Sequence, residues 1–217
     1  MLKIPISEIF FSIQGGGLLQ GIPSVLVRLS GCNLNCAWCD SKMKSSYVVS
    51  FEELINQISK YNCKYIILTG GEPLIYKDIV FLTQELKNQG FHITVETNAT
   101  VKKPIVCDLL SLSPKLMHSG NVDVKLFDPD IIKYYLKNYN YQIKFVVRDQ
   151  QNNFDEITHL LSLLDTYDLE RILIMPMSAT KSDLYKIQKK IISLCLKNGY
   201  RYSNRLQLQV WGNKKEV

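Results

Sequence analysis

The sequence has no apolar run near the roughly 20 residues that a membrane-spanning helix needs. Its opening residues, Met1-Leu2-Lys3-Ile4-Pro5, lack the apolar core and small-residue cleavage site of a signal peptide. No stretch is rich enough in proline, glycine or serine to mark a linker, and no segment repeats. A dense basic block with interleaved aromatics, the footprint of a nucleic-acid binder, is also missing. The 26 Lys and Arg exceed the 20 Asp and Glu, for a formal charge of +6. They fall in small clusters such as Lys102-Lys103, Lys189-Lys190 and Lys214-Lys215. These read as a solvated, mildly basic surface, against which an acidic electron-carrier protein could dock. The absences imply no membrane and no nucleic acid as partner. They also imply a reducing, cytoplasmic setting in which thiolates persist. With 217 residues, 46% of them hydrophobic, one domain over residues 1–217 is expected.

What is present centres on Gly31-Cys32-Asn33-Leu34-Asn35-Cys36-Ala37-Trp38-Cys39-Asp40. Cys32, Cys36 and Cys39 form a C-x3-C-x2-C run. Three thiolates on one loop can hold three corners of a 4Fe–4S cluster and leave the fourth iron open to a small chelating molecule. The same thiols could instead bind zinc with a fourth ligand from elsewhere. The other cysteines (Cys63, Cys107, Cys195) and the histidines (His92, His118, His159) form no second close pair with ligand spacing. A disulfide would leave one thiol of the trio over.

In chain order, 4–13 reads as an extended segment, part of an N-terminal stretch of about 1–22, and runs into Gln14-Gly15-Gly16-Gly17. Ser24 to Ser30 is an apolar strand that contains Arg28, which needs a carboxylate partner from the protein or from a ligand. The cluster loop follows over 31–41. Ser50-Phe51-Glu52-Glu53 is a capping-box signature, and the apolar spacing after it predicts a helix to about Tyr61. Strands are expected at 65–68, 92–95, 109–112, 142–147, 171–175 and 206–211. Helices are expected near 77–89, 129–137, 154–164 and 182–197. This alternation predicts a parallel α/β sheet with crossover helices. About six strand–helix units fall short of the eight of a closed barrel, so an incomplete, (β/α)6-type partial barrel is expected. The polar motifs Thr69-Gly-Gly-Glu-Pro73, Glu96-Thr-Asn98, Ser113-Pro-Lys115 and Met175-Pro-Met177 each follow a strand's carboxyl end. That is the ligand-binding edge of such folds.

The C-x3-C-x2-C run followed by Gly70-Gly71-Glu72-Pro73 resembles the radical S-adenosylmethionine (SAM) enzymes. The 8–17 segment, Gly21-x-Pro23, Arg28 to Asp40, Glu96-Thr-Asn98 and Ser113-Pro-Lys115 together resemble the 7-carboxy-7-deazaguanine synthases of queuosine and 7-deazapurine biosynthesis. The resemblance covers nearly the whole chain and is strongest before Lys115. It implies a radical SAM partial TIM barrel in which Cys32, Cys36 and Cys39 hold a 4Fe–4S cluster and SAM chelates the open iron. Trp38, Cys39, Asp40, Gly71, Ser113, Pro114, Lys115 and Met175, Pro176, Met177, Ser178 would contact SAM, with Glu72 a further candidate for its ammonium. Ile13, Gln14, Gly15, Arg28 and Thr69 would contact a pterin, 6-carboxy-5,6,7,8-tetrahydropterin, with Arg28 on its carboxylate. Ser41 would meet Mg2+. The pterin ring would contract with loss of ammonia. An electron donor such as a flavodoxin or ferredoxin and a homodimer are also implied.

Three positions depart from the family pattern. Gly16 stands where glutamate is usual, Ser41 where threonine is usual, and Ala99 where glycine is common. His92 and His159 read as structural or exposed. His118, near Ser113-Pro-Lys115, is the histidine worth testing. Cys63, Cys107 and Cys195 read as core or half-buried thiols, and Tyr134, Tyr135, Tyr139 and Tyr141 as packing or interface residues. Two alternatives stay open: a radical SAM activase that installs a glycyl radical on a partner protein, and a non-enzymatic zinc or electron-transfer module.

Overall fold

The computed structural model of the chain describes residues 3–39, 46–148, 151–212 and 214. It shows one nine-stranded sheet in the order β3-β1-β2-β4-β5-β6-β7-β8-β9. The strands are β1 (Lys3–Ile13), β2 (Pro23–Leu29), β3 (Tyr47–Ser50), β4 (Tyr65–Gly70), β5 (His92–Thr97), β6 (Leu109–Leu112), β7 (Tyr141–Val147), β8 (Ile172–Pro176) and β9 (Arg201–Tyr202). From β2 to β9 every neighbouring pair is parallel. β1 runs antiparallel to both β2 and β3 at one edge. The helices are α1 (Phe51–Ser59), α2 (Ile79–Asn88), α3 (Pro129–Asn138), α4 (Gln151–Ser162), α5 (Lys181–Asn198) and α6 (Leu206–Trp211).

The helices form where the sequence signals them. Ser50 Oγ accepts from Glu53 N (3.1 Å) while Glu53 Oε2 accepts from Ser50 N (2.6 Å), which completes the capping box of α1. Thr180 caps α5, and Gly199 ends it in the left-handed region at φ 73°.

From β2 onward successive side chains alternate between two faces, and this alternation builds the site. Val25, Val27 and Leu29 on β2, Ile66 and Leu68 on β4, Ile93 and Val95 on β5, and Ile143, Phe145 and Val147 on β7 point one way. They join Leu54, Ile58, Leu82, Leu86, Ile132, Phe154 and Ile157 of the helices in one buried core. The other face carries Ser24, Arg28, Thr69, Thr94, Glu96, Ser111, Gln142 and Lys144 together with Leu26, Ile67, Leu109 and Leu173, so it forms a lumen of mixed polar and apolar side chains.

Two elements differ from the sequence reading. Leu206 to Trp211 alternates apolar and polar residues like a strand but folds as α6, and the last strand is the two-residue β9. The physical reason is local. Leu206 N donates to Gly15 O (2.8 Å), and Gln209 N and Gly212 N donate back to Arg205 O and Leu208 O, so these groups are committed to a helical turn and not to a ladder. The four-residue edge strand β3 is too short, and too exposed at Tyr47 and Val48, to stand out in the sequence.

Candidate functional site

β2 delivers the cysteine loop to the rim. Leu34 N approaches Cys32 Sγ at 3.4 Å, and Asn121 Nδ2 approaches Cys36 Sγ at 3.3 Å. Asn98 Nδ2 stands 4.0 Å from Cys32 Sγ and donates to Asn33 Oδ1 (2.9 Å). The loop is tied to the chain after β6 by Ala37 N to Ser119 O (2.9 Å) and Asn35 N to Asn121 Oδ1 (2.7 Å). Cys32 and Cys39 are exposed, Cys36 is buried, and none of the three is in a disulfide. Although Cys32 as a residue is exposed, partial desolvation of its thiol pushes the pKa up, and the Leu34 N–H partly opposes this. Among the described residues no three His, Cys, Asp or Glu side chains converge on a single ion. A lone zinc needs four donors about 2.0–2.3 Å from one point. A cubane instead offers each thiolate its own iron, and N–H donors on the sulfurs are part of its usual surroundings. The donor set of the loop, three thiolates with N–H groups beside two of them, fits a cluster.

The turn after β4 is locked to this loop. Gly71 N donates to Leu29 O (3.1 Å) and Glu72 N to Gly31 O (2.9 Å). A Cβ on Gly71 would overlap the Gly31 carbonyl, so glycine is what lets the two loops touch. Glu72 is fully buried. Its Oε1 accepts from Leu74 N (2.9 Å) and Thr97 Oγ1 (2.7 Å), and its Oε2 from Asn98 N (2.6 Å). This corrects the expectation for Glu72. Its carboxylate is engaged in pinning the ends of β4 and β5 together and is not offered to a ligand.

A line of charge crosses the lumen below the rim. Glu8 and Arg28 face each other across the β1–β2 ladder and pair at 3.0 Å through Nε. The structure therefore gives Arg28 a protein carboxylate. Its Nη atoms have no partner among the described residues, so they stay available to a second anion. Thr69, beside Arg28 in register, donates to Glu96 Oε2 (2.8 Å), and Lys144 Nζ donates to Glu96 Oε1 (2.7 Å). Burial would raise the Glu96 pKa. Lys144 outweighs it, helped by Thr69 and Arg28, and takes the carboxyl down to about 2. Sequence reasoning saw Glu96 as a rim motif and Lys144 as a strand residue but missed their pairing. The signal was there, because a charge inside an apolar strand needs a partner, as Arg28 already showed.

The remaining expected residues sit on the loops that follow β6 and β8. Lys115 Nζ donates to Ser113 O (2.7 Å) and Ser113 Oγ (3.0 Å), and burial lowers its pKa. Pro114 is buried beside them. Met177 N donates to Val147 O (2.7 Å), next to Met175 and Pro176 at the end of β8. Ser178 Oγ is buried without a partner. Trp38 stacks on His118, with ring centroids 5.6 Å apart and planes at 21°. Trp38 Nε1 and His118 Nε2 are both buried and unpaired. Burial, with Arg148 nearby, holds His118 neutral down to about pH 4. Orphaned polar atoms on one rim fit a polar ligand that is completed on binding. Asp40 and Ser41 lie outside the described residues.

Ile13, Gln14 and Gly15 reach the lumen from the antiparallel strand β1. Gln14 is buried, and its Nε2 donates to Ser24 Oγ (3.1 Å). Leu18 N donates to Gln142 Oε1 (2.7 Å) and Gly17 N to Ser203 Oγ (2.9 Å). The glycine loop thus joins β1 to the far side of the sheet. A Cβ on Gly16 would collide with Met175 Cε and stand 2.7 Å from Asn204 O and 2.9 Å from Ser203 Oγ. The departure from glutamate at this position is enforced by packing. Ala99, where glycine is common, takes a left-handed φ of 63°.

A family model described as the Radical SAM superfamily matches residues 26–178. A 7-carboxy-7-deazaguanine synthase of Halobacterium salinarum is 35% identical over 239 aligned residues, spanning 99% of this chain and 93% of that protein. One from Rhodopirellula baltica is 35% identical, over 97% of this chain and 87% of that protein. The chain belongs to the 7-carboxy-7-deazaguanine synthase family. Membership sets aside the zinc module and the glycyl-radical activase as readings. Among solved structures of this family, QueE from Escherichia coli superposes with a TM-score of 0.75 at 25% identity, covering 95% of each chain. The synthase fold accounts for the partial barrel and for the rim on which the cysteines and Gly71 meet.

Proposed function

We propose that the protein is a radical SAM lyase that converts 6-carboxy-5,6,7,8-tetrahydropterin to 7-carboxy-7-deazaguanine, with loss of ammonia, in 7-deazapurine biosynthesis. The observation that carries this reading is the contact of the cysteine loop with the Gly71 turn, directly above a lumen charged by Arg28, Glu96 and Lys144. When bound, the cluster and SAM together supply a 5′-deoxyadenosyl radical. The protein's part is to hold, orient and shield.

Cys32, Cys36 and Cys39 hold the cluster. Trp38, Cys39, Asp40, Gly71, Ser113, Pro114, Lys115 and 175–178 frame SAM. Ile13, Gln14, Gly15, Arg28 and Thr69 frame the pterin, with the Arg28 Nη atoms on its carboxylate. Ser41 supplies a hydroxyl oxygen suited to Mg2+. The basic surface and the exposed Cys32 and Cys39 support an acidic electron donor such as a flavodoxin or ferredoxin. The exposed edge residues Tyr47 and Val48 support a homodimer, and the need for reduced thiols supports a cytoplasmic location.

The test is anaerobic reconstitution followed by product analysis with the carboxypterin, SAM and a reductant. Deazaguanine with ammonia release is the expected result. SAM cleavage with the pterin left intact would overturn the reading. Cys36→Ala should lose all iron–sulfur absorbance and all SAM cleavage, while unfolding free energy falls by no more than about 1–2 kcal/mol.

A further inference from the structure

The floor of the lumen is built from glycine. Gly15, Gly16 and Gly17 follow β1 and lie against lumen-facing side chains of β7 and β8, Gln142 and Met175. Position 16 cannot take a side chain, because one of its obstacles is the Asn204 backbone, which cannot swing aside. The three glycines bring no side-chain acceptor, and the Gln142 and Ser203 oxygens beside them already accept from Leu18 N and Gly17 N.

Gln207, on α6, lies across it. Its Nε2 donates to Ile13 O, and its Oε1 rests where a Cβ of Gly15 would stand. Leu206 N to Gly15 O (2.8 Å) holds the first turn of α6 in place. A carbonyl can only accept, so the Ile13 contact fixes which way the amide points. Oε1 is left as the acceptor, and no donor among the described residues reaches it. A tetrahydropterin is rich in donors, with an amino group and several ring N–H groups. On the other side of the lumen the Glu96 carboxylate already accepts from Thr69 and Lys144.

We propose that Gln207 is a substrate-specificity residue whose amide oxygen accepts from a pterin N–H at the floor of the lumen. The proposal rests on the pterin reading above and adds to it a contact from the C-terminal helix. A ring with fewer N–H donors would leave Oε1 unpaired and bind less well.

The experiment is anaerobic equilibrium titration of reconstituted, SAM-bound enzyme with 6-carboxytetrahydropterin, in the absence of reductant. Gln207→Met keeps the volume and removes both amide functions. Gln207→Glu keeps an acceptor and removes the donor that tethers Ile13. The Met variant is expected to weaken pterin binding about tenfold, and the Glu variant by no more than about threefold. SAM binding should be unchanged in both, and circular dichroism should match the wild type. Equal weakening in the two variants would make the tether, not the acceptor, the source of the effect and would overturn the proposal. So would unchanged binding in the Met variant. Failure of the wild type to bind the pterin at all would instead strike the function reading, and this proposal with it.

Discussion

Glu96 sets the charge of the lumen. It lies between Thr69 and Lys144, with a third of its side chain exposed, and its folded pKa of about 2 is well below the ordinary glutamate value of about 4.3. A depressed carboxylate contributes stability that is present above the unfolded pKa and is lost as pH falls from about 4.3 toward about 2. The shift corresponds to about 3 kcal/mol, which partial exposure reduces to on the order of 1–2 kcal/mol. Glu96→Gln should therefore be less stable than wild type at pH 6, and the gap should close as pH approaches 2. Urea unfolding of both proteins at pH 6, 4 and 3 checks this; a gap that is constant with pH would mean that Lys144 is not the stabilising partner. Glu72 shows the opposite use of the same side chain. Its three donors are all from the chain, so it fixes geometry and leaves recognition to other groups.

Among the elements, the turn after β4 matters most to cofactor assembly. The turn is held against the end of β2 by two backbone hydrogen bonds, Gly71 N to Leu29 O and Glu72 N to Gly31 O, and Gly70 takes a φ of 132°. Gly71→Ala puts a methyl against backbone, not against a flexible side chain. The two loops must then separate, at a cost of about 1–3 kcal/mol. Iron content per chain should fall along with stability in chemical denaturation, whereas Gly90→Ala, whose methyl meets no neighbour and brings only the backbone strain of φ 84°, should keep its iron. The capping box of α1 was plain in the sequence because it is made of four consecutive residues. The fate of 206–211 was not, because Leu-Gln-Leu-Gln satisfies a strand's period of two as well as a short helix with one buried leucine. What decided it was a partner nearly 200 residues away, the carbonyl of Gly15.

The whole molecule is an open sheet whose two sides are joined by non-sheet contacts. β1 and β9 lie far apart in strand order, yet Gly15 to Gly17 meet Ser203 to Gln207. This bridge closes the lumen without an eighth strand–helix unit. Gly16→Glu should force it apart by collision with Met175 and the Asn204 carbonyl. The expected cost is about 1–3 kcal/mol, with faster amide exchange across 203–212 and normal exchange in α1 to α4. Unchanged exchange in that segment would show that the bridge is not a structural closure.

By itself the sequence determined the alternation of strands and helices, the rim on which the polar motifs cluster and the thiol loop. These rest on periodicity, on capping residues and on cysteine spacing, all carried by neighbours in the chain. The tertiary structure decided which charges pair, that Glu72 is enclosed, that Gly16 has no room for a side chain and that the last segment coils over the glycine loop. Those outcomes depend on groups from strands distant in the chain meeting inside one lumen, and no local pattern of residues encodes such a meeting.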